Sequence, residues 1–207
     1  MATSRPNRRE VAALATRDEI LRAARRLFAE EGYAATSIQR IAAEAGVSVQ
    51  TIYSSVGSKA ALVLALNDLI DEEAGLREVG AALEAETRPE RMIALGVRLT
   101  RQLNERCGDL VRVLVSTAPS EPDVAATYEE GLRRHRRGVT ALSRRLAELD
   151  ALAPGTTSEQ AAAAFAIMTS PASWLQLIGD GWTFDEAEEW MAASLSSLLL
   201  RGRRRRR

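Results

Sequence analysis

The side chains best placed for chemistry with a partner lie between Thr36 and Lys59, in the run TSIQRIAAEAGVSVQTIYSSVGSK. Gln50 carries an amide that donates and accepts at once, which suits the N6 and N7 edge of adenine, while Val49 beside it offers methyl groups to a thymine methyl. Thr51, Tyr53 and Ser54 follow on the same short segment, and Gln39 stands upstream. This is recognition chemistry, made of hydrogen bonds and apolar contact. The material for catalysis is thin: His135 is the sole histidine, and there is no glycine-rich phosphate loop, no Cys-x-x-Cys and no His-Glu-x-x-His. No catalytic residue, metal site or cofactor is expected. Paired acids such as Glu30-Glu31 and Glu129-Glu130 fall on charged helix faces, where they are solvated rather than set up for acid–base work.

Two short helices joined by a tight turn would present these groups. Thr36 and Gln39 fit a Ser/Thr-x-x-Gln capping box, and Ile38, Ile41, Ala42 and Ala45 form the apolar stripe of a first helix. Gly46 supplies the left-handed residue that ends it, Val47 is a buried anchor, and Ser48 caps a second helix over about 49–54. Val47, Ile52 and Val56 can point inward while Val49, Gln50, Thr51, Tyr53 and Ser54 stay available, the division a recognition helix in a major groove requires. A supporting helix over 16–31 is read from Ile20, Ala24, Leu27 and Phe28, and Ser58 opens a longer one through Leu62 and Leu66.

With its Ile20-Leu21-Arg22-Ala23-Ala24-Arg25-Arg26-Leu27-Phe28 helix, Gly32-Tyr33 corner, Ile41-Ala42 and Ala45-Gly46-Val47-Ser48 turn, Thr51-Ile52-Tyr53 segment and Gly57-Ser58-Lys59 start, the stretch over about 17–64 resembles the TetR family of bacterial transcriptional regulators. The resemblance implies that Ser48, Thr51, Tyr53 and Lys59 contact phosphates, with Thr36 and Ser37 at the head of the first helix in the same DNA-contact set. Phosphate contacts fix register; Val49, Gln50, Ser54 and Gln39 would read bases. One departure is Ser54-Ser55-Val56, where the family often has an aromatic residue, a histidine and a phenylalanine.

The 207 residues hold 28 basic and 28 acidic side chains and are 46% hydrophobic, an ordinary composition for a globular protein. The charge is segregated: Arg5, Arg8, Arg9 and Arg17 lie at the amino end and Arg201, then Arg203 to Arg207, at the other. The basic end reads as a solvated tail, with nonspecific nucleic-acid contact as the alternative. Residues 1–15 read as a flexible arm. A single cysteine, Cys107, allows no internal disulfide and reads as a packed small hydrophobe. No apolar run is long enough to span a bilayer and no signal-peptide pattern opens the chain, so a cytoplasmic protein without membrane contact is expected.

Beyond Pro89 the pattern stays helical. Met92, Leu95, Leu99 and Leu103 make one inward stripe ended by Cys107-Gly108, and Leu110, Val111, Val113 and Leu114 a shorter one. Val124, Tyr128, Leu132, His135, Val139, Leu142 and Leu146 then keep one face of a long helix. Thr157-x-x-Gln160 caps a helix running through Phe165, Met168 and Trp174 with a kink at Pro171, and Thr183-x-x-Glu186 caps the last. An effector cavity is expected among Met92, Leu95, Leu99, Leu103, Leu110, Leu114, Thr117, Tyr128, His135 and Met168, its apolar walls suiting a small apolar or aromatic molecule. The competing reading is that these side chains simply fill the core, with His135 a satisfied buried histidine. The resemblance further implies a homodimer through the last two helices, with Ala166, Trp174, Leu175, Ile178, Trp190, Leu195 and Leu198 as interface candidates.

The expectation is therefore an all-α protein. Residues 1–60 form an arm and a three-helix helix-turn-helix DNA-binding head, and residues 61–207 a larger helical ligand-binding and dimerisation body. By family resemblance it is a dimeric repressor of a palindromic double-stranded DNA operator, released by a small effector. The reading from another class is a helical-bundle ligand-binding or enzymatic protein whose first helices only resemble a DNA reader.

Overall fold

The structure is a computed structural model that describes residues 8–73 and 76–201. All of its regular elements are helices: α1 (Arg8–Glu31), α2 (Ile38–Glu44), α3 (Val49–Ser55), α4 (Lys59–Glu73), α5 (Leu76–Ala85), α6 (Pro89–Thr117), α7 (Pro122–Glu148), α8 (Ser158–Met168), α9 (Pro171–Gly179) and α10 (Phe184–Leu199). Among the described residues the one extended pairing is an antiparallel bridge between Leu152 and Leu200. The fold class is as expected, and four local expectations are corrected or sharpened. Helix α1 begins at Arg8, so residues 8–15 are not an irregular arm; residues 1–7 and 202–207, with Arg5 and Arg203 to Arg207, lie outside the described residues.

The second correction is a shift of one residue at α2. Its N-cap is Ser37, whose hydroxyl accepts from Arg40 N, whereas Thr36 turns inward and donates to Gly32 O at 2.8 Å. Third, the expected break at Cys107-Gly108 is present as a kink: Cys107 leaves helical geometry (φ −124°, ψ 22°), and α6 consists of two helical segments that meet there. Fourth, Pro171 opens a helix instead of kinking one. Thr169 caps the end of α8, Ser170 caps the start of α9 by accepting from Ser173 N, and Pro171 takes the first position, where its missing N–H costs nothing. The capping boxes Thr157/Gln160 and Thr183/Glu186 are both formed.

Two compact units divide the chain. One holds residues 1–70 and 112–128, the other residues 71–111 and 129–207, so α6 and α7 each contribute to both. In the first, Ile20, Ala23, Ala24, Leu27 and Phe28 of α1, Ile41 of α2, Ile52 of α3 and Leu62 of α4 are all essentially shut off from solvent. In the second, Met92, Ile93 and Val97 of α6, Leu142 and Leu146 of α7, Phe165 of α8, Trp174 of α9 and Met191, Leu195 and Leu199 of α10 share one core.

Packing in that core is closest at Gly96. A Cβ there would come within 2.8 Å of Phe165 and 2.9 Å of Leu142 Cδ2, so the three helices meet at this residue because it has no side chain. Gly96→Ala is expected to cost about 1–3 kcal/mol of stability through overpacking, read as a lower urea midpoint at unchanged slope.

Candidate nucleic-acid interface

The turn between α2 and α3 is fixed by its hydrogen bonds. Val47 N donates to Ala42 O at 3.0 Å and Gly46 N to Ala43 O at 3.3 Å, the two bonds of a Schellman ending, with Gly46 at φ +67°. Two residues later Ser48 starts α3: its hydroxyl accepts from Thr51 N at 3.0 Å and pairs with Thr51 Oγ1 at 2.8 Å. Ile52 is the buried face of α3. Its opposite face holds Gln50, Tyr53 and Ser54, all exposed, with Val49 half-buried at its edge. Ser54 Oγ donates to Thr51 O at 3.1 Å, which commits its proton locally. Gln39 is exposed on the first turn of α2 and takes no capping role there. The first N–H groups of α2 and α3 have no partners in their own helices, so both starts carry donors suited to anions.

One expected contact is contradicted, and a second has its charge committed within the protein. Thr36 is 1% exposed and its hydroxyl is spent on Gly32 O and Leu27 O, so its side chain holds the corner before α2 together and cannot reach a phosphate. Lys59 is a staple. Its ammonium donates to Tyr33 O at 2.7 Å and Thr36 O at 2.9 Å and sits 4.0 Å from the centre of the Tyr33 ring, a cation–π contact. Tyr33 in turn lies 5.4 Å from Phe28, and burial, with Glu121 near its hydroxyl, pushes its pKa up to about 12, so it remains a neutral ring. The family resemblance implies a phosphate contact for Lys59; the pair of carbonyls that the 33–36 corner turns toward its ammonium is not visible in that pattern.

Arg40 was not foreseen near the readers. It is exposed on α2 beside Gln39, and its guanidinium is shared by Glu31 at 3.4 Å and Glu44 at 3.7 Å. Glu44 also holds Arg26 at 2.9 Å.

The residues expected to line an effector cavity are distributed over both units. Met92 and Leu110 are buried in the second, where Leu95, Leu99, Leu103, His135 and Met168 are half-buried; Leu114 and Thr117 are buried in the first, with Tyr128 half-buried. Met92 belongs to the second unit's core cluster. His135 Nε2 and Thr169 Oγ1 are 3.0 Å apart, and burial, then Arg136, lowers the histidine's pKa, which keeps the ring neutral near pH 7.

Of the interface candidates, Trp174 and Leu195 are core residues at 0% exposure with no surface to offer a partner; Trp174 Nε1 donates to Thr100 Oγ1 at 3.1 Å. Ala166, Leu175 and Ile178 are half-buried, and Trp190 and Leu198 are exposed, as is Ile167 of α8 at 70%. No single described helix is long and apolar enough to cross a membrane.

Residues 20–66 match the family described as bacterial regulatory proteins, tetR family. No curated protein matches the chain. Among solved structures, a TetR transcriptional regulator from Chloroflexus aurantiacus J-10-FL is 21% identical, with 93% of this chain and 100% of that one covered at a TM-score of 0.70. The fatty acid degradation regulator FadR from Bacillus halodurans is 18% identical over 99% of this chain and 100% of its own, also at 0.70. SmeT, solved as a triclosan complex, is 16% identical over 91% and 93%, again at 0.70. These likenesses extend the shared fold beyond the head to nearly the whole chain.

Proposed function

We propose that this chain, a member of the tetR family of bacterial regulatory proteins, is a DNA-binding transcriptional regulator that works as a homodimeric repressor and leaves its operator when a small apolar or aromatic molecule binds. The observation that carries the reading is the α2–α3 unit, in which a buried Ile52 fixes α3 while Gln50, Tyr53 and Ser54 stay exposed on its other face. Residues 1–60 supply the DNA head and residues 61–207 the effector and dimer functions. A two-fold dimer matches a palindromic operator, since each half-site then meets the same α3. The triclosan complex of SmeT supports a small-molecule effector for a protein of this fold. A coupling of about 1–3 kcal/mol between effector and operator would suffice for a sizeable loss of occupancy.

Bases are read by Gln50 and Val49, with Gln39 and Ser54 at the margin, and phosphates are met by Ser37, Ser48, Thr51 and Tyr53. A gel shift on the DNA flanking the gene tests this: retardation that is sequence-specific and salt-sensitive is expected, and its absence removes the proposal. Gln50→Ala is expected to cost about 1–3 kcal/mol at one base pair per half-site and to relax the preference there. Titrations over operator variants that leave the preference intact at every position would move the reading role to another residue.

A further inference from the structure

Binding to DNA releases counterions in proportion to the phosphates that protein cations neutralise, so a DNA head needs cations at its surface. The stretch from Thr36 to Lys59 holds two, Arg40 and Lys59. Lys59 is turned into the protein, its ammonium 2.7 Å from Tyr33 O and 2.9 Å from Thr36 O. The phosphate partners assigned above, Ser37, Ser48, Thr51 and Tyr53, are all uncharged side chains. Arg40 is then the cation that this stretch has left for a phosphate.

Its place on α2 suits that role. Ile38, Ile41 and Ala42 form the buried face of the helix, while Ser37, Gln39 and Arg40 are exposed. Three residues apart, Ser37 and Arg40 are neighbours on one face, and Arg40 N donates to Ser37 Oγ at 3.1 Å. The arginine thus stands one turn along from the serine assigned to the DNA backbone and next to Gln39 at the margin of the readers.

Its partners within the protein hold it loosely. Arg40 Nε lies 3.4 Å from Glu31 Oε1, a terminal guanidinium nitrogen lies 3.7 Å from Glu44 Oε2, and the arginine side chain is 51% exposed. A charge-assisted hydrogen bond is shorter, about 2.7–2.9 Å. Arg26 makes one, at 2.9 Å from Glu44 Oε1, so Glu44 gives its closer contact to Arg26. Long ion pairs in water contribute little, and a guanidinium fork matches two oxygens of one phosphate better than single oxygens of two carboxylates.

We propose that Arg40 is the phosphate-binding cation of the DNA head, held by Glu31 and Glu44 in the free protein and exchanged onto the DNA backbone on binding. The proposal rests on the DNA-binding reading above and deepens it: Arg40 supplies affinity without sequence preference. The two carboxylates oppose binding, since they stay near the backbone after Arg40 has left them.

Full-length protein is titrated with the duplex flanking its gene and with a random duplex of equal length, at several salt concentrations. Arg40→Gln is expected to weaken both by the same factor, about tenfold near 0.1 M salt for each head, and to lower the slope of log affinity against log salt by about 0.9 per head. Arg40→Lys, which keeps the charge, should keep the slope. Glu31→Gln should tighten both duplexes about two- to fivefold. The melt of Arg40→Gln should stay close to that of the parent, because only loose surface pairs are lost. An unchanged slope in Arg40→Gln, or a loss confined to one base pair of the site, overturns the phosphate assignment and leaves DNA binding itself standing. Should Arg40→Gln melt well below the parent, Glu31→Gln decides, since it leaves Arg40 in place: binding that fails to tighten overturns the proposal. Parent protein that retards neither duplex removes the DNA-binding reading and this assignment together.

Discussion

Lys59→Met should weaken operator binding by loosening the head, with the salt dependence of binding unchanged. The ammonium makes two charge-assisted hydrogen bonds, to Tyr33 O and Thr36 O, and one ring contact, and methionine keeps the stem but none of these. Bonds of this kind contribute roughly 1.5–3 kcal/mol each and the cation–π contact about 0.5–1 kcal/mol. A loss of about 2–4 kcal/mol is therefore expected, since the two carbonyls recover part of it from water. A phosphate-binding lysine behaves differently: its removal leaves the melt alone and lowers the slope of log affinity against log salt by about 0.9. Thermal melts and binding titrations at several salt concentrations separate the two cases. An unchanged melt with a reduced slope would return Lys59 to the DNA surface.

The bonds of Lys59 mark which parts of the head are legible in the sequence and which are not. The helix ends were, because caps and stops are local: Gly46 and Ser48 have the conformations and bonds that an Ala-Gly-Val-Ser turn demands, and Thr157 and Thr183 close their capping boxes within four residues. The shift at Thr36 arose because Thr36 and Ser37 are adjacent hydroxyls that could each cap α2. The choice went to Ser37, since Thr36 bonds back to Gly32 and Leu27 across the corner, contacts that no pattern within α2 reveals. Lys59 meets carbonyls 26 and 23 residues earlier in the chain. Long-range pairings of that sort depend on how helices pack, and a single sequence encodes them only through side-chain type.

The same limit governs the last two helices, where periodicity marks an apolar side chain without saying which of two surfaces it covers. Leu195 and Leu198 are three residues apart on α10 and look alike in the sequence, yet one is 0% and the other 57% exposed. Leu195→Asp should therefore abolish folding. Truncating such a leucine alone costs about 2–5 kcal/mol, and a carboxylate in its place adds the cost of a buried charge, which together approach the whole stability of a domain. Leu198→Asp should leave the circular dichroism and the melt within about 0.5 kcal/mol of the parent, as exposed substitutions do. If the face carrying Leu198, Trp190 and Ile167 is where two copies meet, that aspartate places two like charges across the two-fold axis in an apolar surface. Sedimentation velocity should then show a folded monomer. A folded dimer for Leu198→Asp and also for Ile167→Asp would put the subunit contact on a different surface, and soluble, native-like Leu195→Asp would mean that α10 is not packed as a core helix.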